Sequence, residues 1–455
     1  MGIKKGYILE SIEGVPRRAV RSIIGLEPDI VITLDEECAI EGKPDLCSFF
    51  SSPEGGDPVV QLRSLSGRVK IVNSSPSGFH GGFVGYCSYD MVSGTTRGLV
   101  KAGKADSPLA RFMLSSRGIV YDHVMRTCTL FDNAIILPGM GREEEQKKAL
   151  KRLDSLKKQI ADADPGSNHV LPAPSGHSVT WTTSVSSDQY REAVRKAQDY
   201  IRAGDIFQAV LSRRICGRYN GNPFNIYGAI RRINPSPYLY FLDFGDEAII
   251  GSSPEMLVKV EGAMVQTVPI AGTRPRGKNP REDDRLSRDL LADPKEVAEH
   301  LMLVDLARND IGRVARFGTV QVPEFMEIER FSHVQHIVSR VCGTLRKDCD
   351  RFDAFSACFP AGTVSGAPKI RAMQIISELE AHPRGLYAGA VGYAGFDETL
   401  EFAIAIRTLK VAKGRVEFST GAGIVSDSIP EKEFEETEFK AQAMMASIIQ
   451  AGESA

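Results

Sequence analysis

Two groups of charged residues at helical spacing are the first pattern in this sequence that could carry chemistry. They are Glu296, Glu299 and His300 in one group, and Glu433, Glu436 and Lys440 in the other. At these spacings each group can share one face of a helix. Carboxylates from two facing helices form a hard-oxygen site suited to Mg²⁺, which keeps several waters and binds substrate oxygens. A helix cap or a solvated acidic face remains the alternative for each glutamate alone.

Two glycine-rich segments could bind an anion. Residues 361–369 (AGTVSGAPK) precede a predicted helix, whose free N–H groups and dipole favour negative charge. They do not form a Walker A loop, because Pro368 and Lys369 replace its Gly-Lys-Ser/Thr ending. Residues 421–423 (GAG) follow a predicted strand without the third glycine of a dinucleotide motif. Each segment alone is more often a tight turn.

Three further polar residues could contact an anionic substrate. Alternation over residues 400–411 predicts one strand in which Arg407 shares a face with small residues. A guanidinium in that setting can hold a carboxylate through two parallel hydrogen bonds. Tyr387 offers a phenol donor, and His336 precedes an apolar run. A surface arginine, a core tyrosine and a structural histidine are the alternatives, so the spacing predicts an anion site without naming its substrate.

The elements that must position these residues are mixed strands and helices. The sequence predicts strands at 29–34, 82–86, 248–251 and 263–270, helices at 142–161, 188–203 and 367–379, and a hairpin turning at 413–414. Because these elements do not follow strict βαβ units, we predict an α+β fold of layered antiparallel sheets flanked by helices.

Two helix starts carry capping signals. Asp293, Pro294 and Glu296 have the spacing of a capped N-terminus, and Ser428 with Glu431 repeats the capping-box spacing. The helix after Asp293 is predicted to place Val297, Leu301 and Val304 on one apolar stripe.

Composition narrows the class of protein. The 455 residues carry a net charge of −2 without a basic block, which argues against nucleic acid. No apolar run approaches the ~20 residues of a membrane helix, and the chain start lacks the apolar core of a signal peptide. The eight cysteines form no Cys-x-x-Cys pair, which is typical of a reducing compartment without a disulfide framework or zinc site. We therefore expect a cytoplasmic globular protein.

Proline, glycine, serine and aspartate collect in residues 161–177. This composition is typical of a linker. It predicts an N-terminal part at 1–160, a linker at 161–187 and a larger C-terminal part at 188–450.

Longer motifs carry a resemblance to a known family. They are residues 205–208 (DIFQ), 234–238 (NPSPY), 253–255 (SPE), 269–277 (PIAGTRPRG) and 299–310 (EHLMLVDLARND), with the two glycine-rich segments. Together they resemble the chorismate-utilising enzymes, and among these the large subunits of anthranilate synthase. The resemblance spans residues 188–447 and is weaker before 160, where 9–11 and 21–25 look like the family's N-terminal segment. It implies one large catalytic unit with an interleaved N-terminal part.

The resemblance also implies a reaction. Chorismate and ammonia would give anthranilate and pyruvate through aminodeoxyisochorismate, the first committed step of tryptophan biosynthesis. Glu299 and Glu436 would hold Mg²⁺ against the ring carboxylate, with Glu296 and Glu433 close by. Glu255 would protonate the departing ring hydroxyl, which requires a raised pKa.

The resemblance assigns the remaining residues by motif. His336 would assist the loss of pyruvate, and the Thr363 hydroxyl would lie near the reacting centre. Arg407 and Tyr387 would hold the enolpyruvyl carboxylate. The rest of the substrate would be lined by Gly272, Thr273, Gly421, Ala422, Gly423 and Lys440.

Two positions favour anthranilate over related products. Aminodeoxychorismate synthases usually carry a nucleophilic lysine where this chain has Ala271, and alanine cannot attack. Isochorismate and salicylate synthases usually carry a water-activating lysine where this chain has Gln208, and an amide is a poor base. Aminodeoxychorismate synthase and a catalytically silent tryptophan-binding subunit remain the alternatives.

Partners are implied in the same way. The chain has no Gly-x-Cys-x-Gly elbow, so glutamine-dependent activity requires a separate glutaminase subunit, and a heterotetramer is one assembly that the resemblance allows. The segments that resemble the family's tryptophan-inhibition site contain Ser11, Pro235, Ser236, Pro237 and Tyr238. A rigid turn is the alternative for the two prolines.

Overall fold

Antiparallel strands form the framework of the computed structural model, which describes residues 5–11, 21–51, 56–72, 78–101, 103, 107–162, 179–331 and 334–452. The strands in the described part of the chain are β1 (Gly6–Glu10), β2 (Arg21–Leu26), β3 (Ile30–Leu34), β4 (Cys38–Gly42), β5 (Gly82–Cys87), β6 (Ala110–Ser115), β7 (Arg117–Asp122), β8 (Thr127–Asp132), β9 (Thr182–Thr183), β10 (Gln208–Arg218), β11 (Tyr238–Asp243), β12 (Glu247–Ser253), β13 (Met256–Glu261), β14 (Met264–Thr267), β15 (Ile270–Pro275), β16 (Gln321–Arg330), β17 (Val334–Thr344), β18 (Gly366–Ala367), β19 (Ala390–Gly395), β20 (Leu400–Ile404), β21 (Thr408–Ala412) and β22 (Arg415–Ile424).

Helices flank these strands. Those that the described residues form are α1 (Pro44–Phe49), α2 (Pro58–Gly67), α3 (Val92–Thr95), α4 (Arg142–Ala161), α5 (Ser187–Arg202), α6 (Pro223–Ile233), α7 (Pro280–Ala292), α8 (Pro294–Gly312), α9 (Arg351–Cys358), α10 (Lys369–Leu379) and α11 (Pro430–Ala451). None of them combines the length and the apolar composition that crossing a bilayer requires. The helices predicted at 142–161 and 188–203 are confirmed as α4 and α5.

The strands form two sheets, and the predicted α+β fold is confirmed. The first sheet has the order β18-β10-β22-β21-β12-β11-β1-β2-β7-β8, with β9 beside β10. The second has the order β15-β17-β14-β13-β20-β19-β5-β6-β3-β4, with β16 beside β17. In both sheets, a strand from the first third of the chain pairs with a strand from the last two thirds: β1 pairs with β11, and β5 pairs with β19. The predicted boundary at 161–187 stays a prediction, and residues 163–178 of it lie outside the described residues.

The two sheets pack face to face through a shared core. Tyr7, Tyr240 and Ile249 come from the first sheet, and Val84 and Val391 come from the second. Alternate side chains of each strand point to this layer, as the period of two requires. Helices α5, α6, α10 and α11 cover the outer face of the first sheet, and α8 packs on β15 and β17 of the second. Helix α8 therefore lies against the second sheet, and α11 lies against β22 of the first sheet.

The two predicted helix caps have different outcomes. The Asp293 side chain accepts hydrogen bonds from the backbone N–H groups of Lys295 and Glu296, so the start of α8 is confirmed. The capping box at α11 is wrong, because Ile429 occupies the cap position without a side-chain hydrogen bond. The Ser428 hydroxyl is instead bonded by the backbone N–H of Val425.

The predicted apolar stripe on α8 is wrong at Leu301, whose side chain is 42 % exposed. His300, Leu303 and Val304 form the buried face instead. The hydrophobic periodicity could not predict that His300 is buried, because it assigns core positions to apolar residues. His300 is accommodated in the core by its hydrogen bond with the Ser339 hydroxyl.

The single strand predicted at 400–411 is also wrong. Strand β20 ends at Ile404 in the second sheet, and β21 begins at Thr408 in the first sheet. The chain crosses between the sheets at 405–407, where Arg407 adopts a positive φ of 50°. The sequence did not indicate this crossing, because the alternation over residues 400–411 continues through it without a proline or a glycine. The turn at Lys413 and Gly414 between β21 and β22 is as predicted.

Candidate active site

A cavity of about 470 Å³ opens between the two sheets and brings most of the predicted site residues together. Its walls come from β10 and β22 of the first sheet, β15 and β17 of the second, the helices α8 and α11, and the crossing at 405–407. The predicted residues that line it are Glu255, Gly272, Thr273, Glu299, His336, Thr363, Tyr387, Arg407, Gly421, Gly423, Glu436 and Lys440.

Of the residues predicted to bind the substrate or the metal, three do not line this cavity. The Ala422 side chain is buried with Ala209 and Ile375 on the helix-covered face of the first sheet. Glu296 forms an ion pair with Arg274, with 3.0 Å between Nη1 and Oε1. Glu433 lies one helical turn before Glu436 on α11. Glu296 and Glu433 can therefore act on the cavity only through their neighbours or through water.

Glu255 is a buried carboxyl group at the cavity wall, with 7 % of its surface exposed. Burial raises its pKa to about 8, while hydrogen bonds from the Thr363 hydroxyl and the backbone N–H of Ile270 lower it. The Thr363 hydroxyl donates to Oε2 over 3.1 Å. A carboxyl group with this pKa carries a proton at neutral pH and can donate it.

His336 lies on β17 with its ring packed against Phe331. Its Nδ1 is 2.7 Å from the backbone oxygen of Gly272. Because a carbonyl oxygen only accepts hydrogen bonds, Nδ1 carries the hydrogen and Nε2 keeps its lone pair. Burial lowers the pKa of His336, and the nearby charge of Arg407 lowers it further. The neutral ring can therefore accept a proton.

Arg407 presents an unpaired cation to the cavity. Within the described residues its guanidinium has no ion pair, although desolvation lowers its pKa. Its position depends on the crossing between sheets: its backbone oxygen accepts from the N–H of Ser252 over 3.1 Å. The Arg407 side chain is exposed to the open cavity, and a cation without a carboxylate partner at such a position is a site at which an anion gains free energy on binding.

Tyr387 lies close above the glycine-rich strand β22. A Cβ on Gly421 would stand 2.5 Å from the Tyr387 hydroxyl, and a Cβ on Gly423 would stand 2.6 Å from Nε2 of Gln208. The two glycines therefore make room for two polar side chains at the cavity. They lie inside β22, so the prediction that they follow a strand is wrong. Burial raises the pKa of Tyr387 to about 12, which keeps its phenol a donor.

Segment 361–369 differs from the predicted helix entry. Gly362–Val364 form a 3₁₀ turn, and α10 begins only at Lys369 after a cap position occupied by Pro368. Lys369 pairs with Asp310 over 2.6 Å. Thr363 therefore reaches the cavity from a turn and not from a helix N-terminus.

The glutamates of α8 and α11 face each other across the cavity. Burial raises the pKa of Glu299, and the carboxylates of Glu296 and Glu436 raise it further. Lys440 offsets Glu436 through a 2.7 Å ion pair. No three acidic, histidine or cysteine side chains of the described ranges converge as a ready metal site. Two mutually repelling carboxylates beside a cavity nevertheless fit Mg²⁺, which takes one or two carboxylates and leaves its other positions to water and substrate.

Sequence reasoning missed most of the apolar wall. The unanticipated lining residues are Val210, Leu303, Phe331, Ile406, Phe439 and Met444. They come from five separate segments, and in most of these no local pattern distinguishes them from ordinary core residues. Helical periodicity could have indicated three of them, because Leu303 shares a face with Glu299 on α8, and Phe439 and Met444 are spaced three and four residues from Glu436 and Lys440 on α11.

A second cavity of about 380 Å³ lies beside the first. Ser11, Pro237 and Tyr238 line it, whereas Pro235 and Ser236 line the first cavity. The Ser11 hydroxyl donates to the backbone oxygen of Pro237. The predicted tryptophan segment is thus shared between two neighbouring cavities.

Comparisons with known proteins agree on one family. The family described as chorismate binding enzyme matches residues 30–446. Anthranilate synthase component 1 of Acetivibrio thermocellus is 44 % identical over 98 % of this chain and 90 % of its own length. The same protein of Aquifex aeolicus is 47 % identical over 83 % of this chain and 76 % of its own.

Solved structures give the same result. The crystal structure of anthranilate synthase component I from Streptococcus pneumoniae TIGR4 is similar with a TM-score of 0.82 at 37 % identity, over 96 % of this chain and 93 % of that one. MenF, the menaquinone-specific isochorismate synthase from Escherichia coli, has a TM-score of 0.71 at 20 % identity, over 98 % and 88 % of the two chains. The latter likeness concerns the fold alone.

Proposed function

The chain belongs to the chorismate binding enzyme family, and from this premise we propose that it converts chorismate and ammonia to anthranilate and pyruvate. One observation carries the proposal: a protonated acid, an unpaired arginine and two facing carboxylates line the same cavity. Chorismate has two carboxylates and a leaving hydroxyl. The arginine can bind one carboxylate, a Mg²⁺ ion on the facing glutamates can bind the other, and the acid can protonate the hydroxyl. The names of relatives at 44 % and 37 % identity support the same product.

In this proposal Arg407 and Tyr387 bind the enolpyruvyl carboxylate. The guanidinium has no competing partner in the described chain, and the phenol remains protonated. Lys440, whose Nζ donates to the backbone oxygen of Gly421 over 3.0 Å, adds positive charge to the same wall. Thr273 and Gly272 line the opposite wall beside His336.

Glu299 and Glu436 would hold Mg²⁺, with Glu296 and Glu433 behind them. The bound ion would neutralise the ring carboxylate, which the two glutamates would otherwise repel. Gln208 donates a side-chain hydrogen bond to Glu299. Because this bond orients the carboxylate, Gln208 supports the ligand geometry.

The first chemical step adds nitrogen to the ring and removes the ring hydroxyl. Ammonia forms a bond to the ring carbon next to the one that carries the carboxylate, the ring double bonds shift, and the carbon–oxygen bond breaks at the carbon that carries the hydroxyl. The hydroxyl leaves as water with the proton of Glu255, and the new ammonium group holds the extra proton of the nitrogen. Thr363 holds the Glu255 carboxyl in place through its 3.1 Å hydrogen bond. The raised pKa makes this proton available in neutral solution.

The second step eliminates pyruvate. The neutral Nε2 of His336 can accept the ring proton whose loss accompanies departure of the enolpyruvyl group and makes the ring aromatic. The departing enolpyruvate takes up one proton on carbon and becomes pyruvate. The Gly272 carbonyl fixes the tautomer that this step requires.

The product follows from two residues at the cavity wall. Ala271 is buried on β15 and has no nucleophile to form a covalent adduct. Gln208 has an amide where water activation would require a base. Direct addition of ammonia is therefore favoured over the aminodeoxychorismate and isochorismate reactions of related enzymes.

Two partners belong to the same proposal. A glutaminase subunit would supply ammonia, since component 1 of the named relatives implies a second component. Tryptophan would bind the second cavity, where six glutamates surround a smaller number of cations and can receive its ammonium group. These glutamates are Glu10, Glu261, Glu324, Glu327, Glu329 and Glu401.

The product formed from chorismate and an ammonium salt tests the proposal. With Mg²⁺ at alkaline pH we expect fluorescent anthranilate, and omission of Mg²⁺ should abolish it. Release of aminodeoxychorismate without anthranilate would overturn the proposal in favour of that synthase. Tryptophan binding without turnover by a folded preparation would instead indicate a silent regulatory subunit.

A further inference from the structure

Arg384 is a buried arginine next to the cavity that the mechanism above does not use. It follows α10 and precedes Tyr387, and 5 % of its surface is exposed. Nε donates to Oε2 of Glu380 over 2.9 Å, and Nη2 donates to Oε1 over 2.7 Å. Nη1 donates to the backbone oxygen of Val364 over 2.8 Å, and Nη2 also bonds that of Val210. The guanidinium is therefore fixed in one orientation.

The backbone around Arg384 is fixed as well. Asp90 accepts hydrogen bonds from the N–H of Arg384 over 3.2 Å and from the N–H of Gly385 over 2.8 Å. Glu380 accepts a further bond from the N–H of Ser212 over 2.7 Å. Segment 380–385 is thus tied to the edge of β10 and to the turn that follows β5.

Three contacts of Arg384 end on residues that line the cavity, namely Val210, Val364 and Tyr387. The Arg384 Cζ lies 5.6 Å from the ring centroid of Tyr387 and 4.7 Å from that of Tyr89. The carbonyl that it holds belongs to Val364, the neighbour of Thr363. Arg384 itself does not line the cavity, so it can affect a bound molecule only through these neighbours.

The contact with Tyr387 has a defined chemical consequence. A cation over an aromatic face withdraws electron density and fixes the plane of the ring. The Tyr387 hydroxyl then becomes a stronger donor and stays in the space left by Gly421. A carboxylate acceptor gains most from such a donor, because hydrogen bonds to ionised groups are the strong ones.

We propose that Arg384 is a positioning residue that strengthens binding of the substrate carboxylate through the ring of Tyr387. This inference rests on the proposed function, since it requires that Tyr387 donates to the enolpyruvyl carboxylate. A purely structural ion pair with Glu380 would stabilise the fold without any coupling to Tyr387. The difference between these two roles is measurable.

A double-mutant cycle of Arg384→Lys and Tyr387→Phe tests the inference. Lysine keeps the charge but loses the planar fork that fixes the cation over the ring. We expect Arg384→Lys alone to raise KM for chorismate about fivefold, a factor in the range of a weak cation–π contact at this distance, with a smaller change in kcat. In the Tyr387→Phe background the same substitution should leave KM unchanged.

Arg351→Lys is the matched control. Arg351 is also buried, donates to the backbone oxygen of Thr399 over 2.8 Å, and has its Cζ 5.0 Å from the ring centroid of Phe352. It does not line the cavity. We expect this variant to lose thermal stability while KM stays at the native value.

Three outcomes distinguish the possibilities. Equal effects of Arg384→Lys in both backgrounds would overturn the inference and leave the proposed function intact. No effect of Tyr387→Phe on KM would instead contradict the proposed role of Tyr387 and, with it, the inference. If Arg384→Lys does not fold, Glu380→Gln loosens the same fork and is combined with Tyr387→Phe, with the same expected coupling and the same contradicting result.

Discussion

At the scale of single residues, loss of water leaves two titratable groups of the cavity uncharged. Burial raises the pKa of Glu255 to about 8 and lowers that of His336. Both shifts favour the neutral form, because a poorly solvated environment disfavours charge of either sign. The carboxyl group can then give a proton and the imidazole can take one at the same pH. Burial thus makes Glu255 a proton donor and His336 a proton acceptor.

The pH dependence of kcat tests the role of Glu255. At a fixed concentration of free ammonia, kcat should fall as pH rises through about 8, where Glu255 loses its proton. Glu255→Gln should lower kcat about 10²- to 10⁴-fold, the usual contribution of a general acid, and remove this pH limb. A native kcat that stays constant from pH 7 to 9 would contradict the role.

Unfolding of the same variant provides an independent check. A carboxyl group with a raised folded-state pKa stabilises the fold at low pH, and this stabilisation is lost as pH rises through about 8. The native Tm should therefore decrease from pH 6 to 9 by more than the Tm of Glu255→Gln. If the Tm of the native protein and that of the variant changed with pH in parallel, the pKa of the Glu255 carboxyl group would not be raised in the folded state.

Arg407→Ala tests the substrate anchor. Bound chorismate would cover the exposed Arg407 guanidinium. Loss of one partner of a charged hydrogen bond that is buried in this way costs about 2–5 kcal/mol, so kcat/KM should fall at least tenfold. Because Arg407 has no ion pair in the described chain, thermal stability should not decrease. Unchanged kcat/KM would remove Arg407 from the site.

At the scale of elements, the sequence reveals helices better than connections. The N-terminus of α8 follows from Asp293 and Pro294, because capping is a local interaction. The crossing at 405–407 does not follow from the sequence, since only pairing with distant strands breaks the alternation. The strand pattern indicated Arg407 as a candidate for binding a carboxylate, and the family resemblance gave its specific role, but its backbone setting was wrongly predicted.

Asp293→Ala measures what the cap of α8 contributes. It removes two hydrogen bonds to the helix N-terminus and the 2.8 Å ion pair with Arg274. We expect a loss of about 1 kcal/mol in the free energy of unfolding. Because α8 also carries Glu299, a higher Mg²⁺ requirement for activity should accompany the loss. Unchanged stability would mean that packing alone holds the helix.

Gly421→Ala tests the close approach of β22 to Tyr387. The added methyl would stand 2.5 Å from the phenol oxygen, so the ring must move. We expect a clear rise in KM for chorismate. Gly67→Ala is the matched control, because no heavy atom lies within 4 Å of its Cβ, and its KM should stay native. A native KM for Gly421→Ala would contradict the geometry.

At the scale of the whole molecule, strands from distant parts of the chain complete both of the sheets between which the cavity lies. Strand β1 pairs with β11, and β5 pairs with β19. The sequence predicted the fold class from composition and irregular element order, and it predicted the site residues by resemblance. Neither source could give the strand order, because each pairing depends on side chains far apart in sequence.

The proposal that tryptophan binds the second cavity predicts how its binding would reach the first cavity. Segment 234–238 contributes Ser236 to the first cavity and Tyr238 to the second, so a ligand in one can move the wall of the other. Ser11→Ala removes the hydrogen bond to Pro237. We expect several-fold weaker inhibition by tryptophan, the effect of one lost hydrogen bond, with a native kcat. Unchanged inhibition would place tryptophan elsewhere.

A crystal structure with Mg²⁺ and chorismate tests the central claim most directly. We predict the ring carboxylate at a cation held by Glu299 and Glu436, the enolpyruvyl carboxylate on Arg407 and Tyr387, and the ring hydroxyl beside Glu255. Chorismate bound outside the cavity of about 470 Å³, with Arg407 free of it, would contradict the account.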